Sequence, residues 1–216
     1  MITPPDMVIF DCDGVLVDSE PITNRVIQES LAAHGLPLEI DEIMHLFVGG
    51  TMQGVMDVSR EMGAALPGNW LDQIYSEIFE ALAKEVMPIP GAVAVLDVLD
   101  AAGIAYAVGS NGPHAKMAVT LARTGLAERL NGRIFSREDV KQPKPAPDVY
   151  LLAAAKAGIA PERCVVVEDS ASGAKAGVAA GMRTLGFYGE TPKEKLAPIC
   201  DALFDDMHDL PKLLGL

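Results

Sequence analysis

Two hydrophobic rhythms divide this chain. Between about Pro21 and Glu85 apolar residues recur three or four apart, the spacing of amphipathic helices, with no convincing strand. Ile22, Val26, Ile27 and Leu31 form one stripe, which Pro21 opens and His34-Gly35 ends. Ile43, Met44 and Phe47 form a shorter stripe ending at Gly49-Gly50. Thr51 is placed to cap a third helix with Val55, Met56 and Met62 inward. Asn69 is placed to cap a fourth through Leu71, Ile74, Ile78 and Leu82. Pro88-Ile89-Pro90-Gly91 then breaks the pattern as a stiff linker.

Beyond that linker helices alternate with short apolar runs. Helix Val93–Ala102 precedes strand Ala105–Gly109, and helix Ala115–Arg123 precedes a short strand at Ile134-Phe135. Helix Asp148–Ala157 precedes strand Cys164–Val167, and helix Ala171–Ala180 precedes strand Thr184–Phe187. Ala202–Phe204 reads as one more strand and Leu210–Leu214 as a final helix. Such alternation predicts parallel strands with helical crossovers on both faces, and Val165-Val166-Val167 has the unbroken apolarity of a central strand. Gly173, Gly177 and Gly181 recur every four residues and predict a helix face packed close on the sheet. Val8-Ile9-Phe10 supplies a strand of the same sheet ahead of the four helices. The expected architecture is therefore α/β, a parallel-sheet core of residues 1–17 and 87–216 with a helical cap domain inserted over 18–86.

Composition narrows the partners. Half of the 216 residues are hydrophobic but only 5% are aromatic, so Ala, Val, Leu, Ile and Met must build the core. Net charge is −13, and the insertion, with Arg25, Arg60 and Lys84 against 12 acidic residues, carries −9 of it. A polyanion such as nucleic acid is repelled on average, and no basic run argues otherwise. Cys12, Cys164 and Cys200 are three, widely spaced and without metal-site spacing, which suits reduced thiols in a cytoplasmic protein. No signal peptide and no membrane-length apolar run is read, so a membrane association is not expected. A monomer or weak dimer is expected.

Chemistry concentrates where predicted strands end. After Phe10 come Asp11 and Asp13, two carboxylates that an extended backbone projects to one side. Carboxylates that close need a cation or a shared proton in a dry site, and Mg²⁺ with a phosphate is the simplest partner. A carboxylate such as Asp11 can also be a phosphoryl-accepting nucleophile. A solvated acidic turn would place the same residues here. A calcium loop does not, because Ile9 would take the first ligand position and Val15 and Val17 would fall in its polar loop.

In open parallel sheets ligands sit beyond the carboxyl ends of the strands. The second strand ends in Gly109-Ser110-Asn111-Gly112-Pro113, where Ser110 and Asn111 offer donors, Gly112 admits a close backbone approach and Pro113 suits a first helical turn. A plain helix cap gives the same residues. Lys144, between Pro143 and Pro145, is an ammonium on a stiffened loop, or an incidental lysine in a surface loop. Glu168-Asp169-Ser170 brings two more carboxylates beside a central strand, where metal or hydrogen bonds must hold them, and Asp169 or Ser170 can also cap the next helix. Taken together these residues supply a nucleophile, metal ligands, phosphate donors and a fixed cation, the inventory of phosphoryl transfer.

At this point the chain closely resembles the haloacid dehalogenase superfamily, in the branch of β-phosphoglucomutases and sugar-phosphate phosphatases with a helical cap. Phe10-Asp11-Cys12-Asp13-Gly14-Val15-Leu16-Val17-Asp18-Ser19-Glu20, Ser110-Asn111-Gly112, Lys144-Pro145 and Glu168-Asp169-Ser170 appear in the family's order along the whole chain. The resemblance implies a Rossmann-like core. It implies Asp11 as nucleophile and Asp13 as general acid, then base, ligating Mg²⁺ through its carbonyl. Ser110 and Asn111 would bind the transferring phosphoryl group, Lys144 would neutralise the aspartyl-phosphate, and Asp169 would ligate Mg²⁺ with Glu168 as a direct or water-mediated ligand. Asp13 argues against carbon–halogen cleavage.

The mutases carry a His on the first cap helix and an Arg after the cap's Gly-rich turn, where this chain has Thr23 and Met52. A mutase also needs a second cationic phosphate site, and the acidic insertion offers little for one. The cap's only lysine, Lys84, is badly placed for a Schiff base. The stretches Ser110-Asn111-Gly112-Pro113…Lys116-Met117 and Asp18-Ser19-Glu20…Arg25 also resemble bacterial 6-phosphogluconate phosphatases, which makes Arg25 a candidate substrate ligand or simply a solvated residue. The expectation is a Mg²⁺-dependent phosphatase of a small phosphorylated metabolite, with a cap that closes over the core at hinges Val15–Glu20 and Met87–Gly91. The alternatives are a phosphomutase and a non-catalytic phosphometabolite-binding module.

Overall fold

The computed structural model of the chain describes residues 3–47 and 51–216. Its elements run β1 (Met7–Phe10), α1 (Glu20–Ala33), α2 (Ile40–Phe47), α3 (Met52–Glu61), α4 (Trp70–Glu85), α5 (Ala92–Ala102), β2 (Ala105–Ser110), α6 (His114–Arg123), β3 (Ile134–Ser136), α7 (Asp148–Ala157), β4 (Cys164–Glu168), α8 (Ala171–Ala179), β5 (Arg183–Phe187), α9 (Lys193–Leu196), β6 (Ala202–Phe204) and α10 (Leu210–Leu214). Two compact units result, Met1–Asp18 with Met87–Leu216, and Ser19–Val86.

In the larger unit the described strands form one sheet in the order β3-β2-β1-β4-β5-β6, every pair parallel. β1 and β4 lie at its centre, and both are buried on both faces along their whole length. That is why they read as continuous apolar runs. Registers Phe10↔Val108 and Phe10↔Val167 bring the carboxyl ends of β1, β2 and β4 level. One sheet edge therefore presents Asp11, Ser110 and Glu168 side by side. Gly177 lets α8 lie close on this sheet: a Cβ there would fall 2.5 Å from Thr184 Oγ1 and 3.2 Å from Val166. Gly181 does not share that packing face. It stands just beyond α8 with φ +73, and a Cβ there would meet nothing within 4 Å.

The smaller unit packs α1 beside α4, with Trp70, Ile74, Leu82 and Leu31 fully buried. Trp70 Nε1 donates to Ser30 Oγ at 2.9 Å, which satisfies the indole inside an apolar interface. Thr51 caps α3 as expected, its hydroxyl accepting from the Gly54 amide at 3.1 Å. Asn69 holds the N-cap position of α4 without a side-chain cap bond. Met62, expected inward, is 44% exposed because α3 ends one residue before it. Met44 is exposed likewise, and only Ile43 and Phe47 of its stripe are buried. Gly49-Gly50, expected to end the second helix, lies outside the described residues. No helix among the described residues is long and apolar enough to cross a membrane.

Candidate active site

The β1 end is a tight loop. Asp11 N donates to Val167 O and continues the ladder one residue past β1. Leu16 N and Val17 N then both close on Cys12 O, and Gly14 N closes on Val17 O. Gly14 has φ +73, and a Cβ on it would lie 2.1 Å from Asp169 Oδ2. The missing side chain is what lets the Asp169 carboxylate rest against the Asp11–Asp13 loop.

Lys144 is buried, and its Nζ donates to Asp11 Oδ1 at 2.5 Å and to Glu168 Oε1 at 2.6 Å. Burial opposes the ammonium, but Asp11 and Glu168 outweigh it and hold the Lys144 pKa above its ordinary value. Burial, with Glu168 and Asp13 adding to it, pushes Asp11 up to about 7 despite Lys144. The lysine's loop is held reciprocally: its backbone N donates to Asn111 Oδ1 at 2.9 Å, and Asn111 Nδ2 donates to its carbonyl at 3.2 Å. Asn111 thus couples the loop after β2 to the lysine loop, 33 residues further on.

Glu168, expected among the metal ligands, is occupied otherwise. Its Oε1 accepts from Lys144 Nζ and Tyr150 OH, and its Oε2 from the Ser170 backbone N and Oγ. A carboxylate has about four lone-pair sites, and four donors share this one. Gly173 makes room for this carboxylate, since a Cβ there would fall 1.6 Å from Glu168 Oε1. Glu168 is therefore the buried anchor of Lys144. Ser170 caps α8, its hydroxyl also accepting from Gly173 N at 3.0 Å.

At the β2 end, buried Ser110 Oγ accepts from Gly112 N at 2.9 Å. A Cβ on Gly112 would stand 3.2 Å from that hydroxyl and 3.5 Å from Asp13 Oδ2, so both groups face one small space. Lys116, in the first turn of α6, donates to Asp13 Oδ1 at 2.7 Å. The structure thus brings together Asp11, Asp13, Ser110, Asn111, Gly112, Lys144, Glu168 and Asp169 in one unit. Arg25 belongs to the other unit, where its guanidinium pairs with Glu29 at 3.3 Å and Glu85 at 2.6 Å.

Two participants receive no role from the sequence: Tyr150, and Lys116, which enters only within a resembling stretch. Tyr150 reads as one more apolar residue of α7. Lys116 did leave a signal: a cation in a first helical turn faces the positive end of the helix dipole and calls for a carboxylate nearby.

Asp11, Asp13, Glu168 and Asp169 stand against two ammonium groups, Lys144 and Lys116. The surplus of negative charge and the all-oxygen donor set suit a hard divalent cation. Among the described residues no three His, Cys, Asp or Glu side chains form a protein-only metal cage. Mg²⁺ does not require one, since it usually takes one or two carboxylates and fills its remaining positions with water and substrate phosphate.

Comparison with known proteins identifies the family. Residues 5–181 match the family model of the haloacid dehalogenase-like hydrolases. The chain is 30% identical to the 6-phosphogluconate phosphatase of Escherichia coli K12 over 96% of its own length and 94% of that protein. It is 36% identical to hexitol phosphatase A of the same organism, covering 82% and 80%. A HAD family hydrolase from Deinococcus radiodurans, solved with bound phosphate and sodium, superposes with a TM-score of 0.87 at 35% identity, covering 99% of this chain and 96% of that one. The chain is an enzyme of the hydrolase class and belongs to the haloacid dehalogenase-like hydrolase family.

Proposed function

We propose that the protein is a Mg²⁺-dependent phosphatase of a small phosphorylated metabolite, a sugar or sugar-acid phosphate, and that it works through an aspartyl-phosphate on Asp11. The observation that carries this reading is the buried Asp11 carboxylate at the end of β1, 2.5 Å from the Lys144 ammonium and two residues before a second carboxylate. The phosphatase names of the two bacterial relatives support the reaction and the substrate class.

The Asp11 carboxylate attacks phosphorus as the bond to the leaving oxygen breaks, and Asp13 gives that oxygen its proton. A water then attacks the acyl-phosphate, Asp13 takes the water's proton, and phosphate leaves with Asp11 restored. Lys144 neutralises charge on Asp11 and on the phosphoryl group. Ser110 and the backbone around Gly112 hold the phosphoryl oxygens. The cation, ligated by Asp11, Asp169 and the Asp13 carbonyl, would supply the remaining positive charge.

Phosphate release from a panel of sugar, polyol and carboxylated phosphates tests the proposal. Turnover is expected with Mg²⁺ and is expected to vanish on chelation. Asp11→Asn should lose more than about a thousandfold in kcat while remaining folded. A folded Asp11→Asn protein with a tenth of the normal rate would exclude the covalent route.

A further inference from the structure

The mechanism above leaves Lys116 unused, although its placement is costly. Its side chain is only 20% exposed and lies in the first turn of α6, so burial and the helix dipole both oppose its charge. Its carboxylate partner is Asp13, 103 residues away in sequence. α6 starts directly after the Ser110–Gly112 loop, so the lysine is fixed relative to the expected phosphate position by a single helical turn.

The two oxygens of Asp13 are consequently not equivalent. Oδ1 accepts from the Lys116 ammonium, which carries donors and no acceptor, so an acidic proton is better placed on Oδ2 than on Oδ1. Oδ2 faces the loop space beside Gly112 that Ser110 Oγ also lines. The terminal torsion of an aspartate is broad, and without a tether the two oxygens exchange places. We propose that Lys116 is a positioning residue that clamps Asp13 through Oδ1, so that Oδ2 delivers the proton to the leaving oxygen of the substrate. The inference rests on Asp13 being the general acid of the proposed function. In that step the Asp11 oxygen bonds to phosphorus, the bond from phosphorus to the leaving oxygen breaks, and the proton on Oδ2 passes to the departing oxygen.

Leaving-group dependence separates this role from a structural one. kcat/KM covers events up to departure of the leaving group. An alkoxide leaving from a polyol phosphate needs the acid, and a dinitrophenolate leaving from an activated aryl phosphate does not. Lys116→Met is expected to lower kcat/KM about a hundredfold for the polyol phosphate and less than tenfold for the aryl phosphate. Lys116→Arg, which keeps a donor, should recover most of the polyol phosphate activity. Thermal unfolding confirms that each variant is folded. Equal losses on both substrates, or no loss on either, would overturn the clamp. Asp13→Asn on the same pair keeps the two readings apart. A selective loss there without one in Lys116→Met sinks the clamp alone, whereas absence of selectivity in Asp13→Asn removes the acid assignment itself.

Discussion

The two units of this chain treat charge in opposite ways. The α/β unit buries charge at the carboxyl ends of its strands and pairs it across long sequence separations: Lys144 with Asp11 and Glu168, Lys116 with Asp13. The helical unit keeps its charge at the surface. Arg25 meets Glu29 and Glu85, Lys84 stands 3.9 Å from Glu80, and Arg60 donates to the carbonyls of Leu66 and Pro67. Exposed pairs of the second kind contribute little to stability, and removing one partner of a buried pair costs much. The α/β unit thus accepts electrostatic risk to assemble a reactive site. In the helical unit the cations serve the unit's own loops and helices, which bears on the mutase alternative, since a second phosphate would need cations of its own.

Lys144→Met tests the buried side of this contrast and carries the largest expected effect. The substitution leaves Asp11 and Glu168 buried without their shared counter-charge, a loss on the order of 3–5 kcal/mol. Denaturant unfolding should report that loss, and phosphate release should fall more than about a thousandfold. A variant as stable as the parent would mean that the two carboxylates do not depend on Lys144.

The contrast also explains what was legible in the sequence. The strands were readable because central parallel strands are uninterrupted apolar runs, and the polar residues ending them were readable by their adjacency to those runs. The predicted ends of β2 and β4 fall one residue short. Ser110 and Glu168 are themselves strand residues, held there by pairing with Ser136 and Gly186. That pairing is long-range and leaves no local pattern. Glu168 is a candidate metal ligand through the family resemblance and as one of two carboxylates beside a central strand. Its hydrogen-bond partners Lys144 and Tyr150 are residues that only the fold brings to it. Asn111 was read for its donors towards phosphate, and the backbone of Lys144 that it grips was equally out of local view. Helix periodicity misplaced Met62 because a stripe of apolar residues does not say where a short helix stops, and Met44 because it neighbours Ile43 in the same helix and so turns to another face.

A smaller effect of opposite sign is expected in the helical unit. Among the described residues, Ser59 Oγ in α3 is the one buried side-chain polar atom without a hydrogen-bond partner. An unsatisfied buried hydroxyl costs about 1–3 kcal/mol, and alanine is the better helix former. Ser59→Ala should therefore raise unfolding stability by about 1 kcal/mol, with turnover unchanged. A decrease would show that the hydroxyl is hydrogen-bonded in solution.

Arg25→Ala carries the smallest expected change and is the sharpest probe of the contrast. Its guanidinium is already shared between two exposed carboxylates, so a substrate carboxylate would have to compete with both. Loss of exposed pairs of this kind costs ~0.2–1 kcal/mol, and the pairing should weaken further in high salt. If Arg25 serves only its own unit, kcat/KM for a neutral polyol phosphate and for a carboxylated sugar-acid phosphate should change by the same small factor. If it binds substrate, the carboxylated compound alone should show a raised KM with kcat retained, the signature of lost uniform binding. The comparison of two substrates in one variant cancels any general loss of folded enzyme. A selective tenfold rise in KM would show that the helical unit contributes a cation to recognition, and that its surface charge is not confined to holding the unit together.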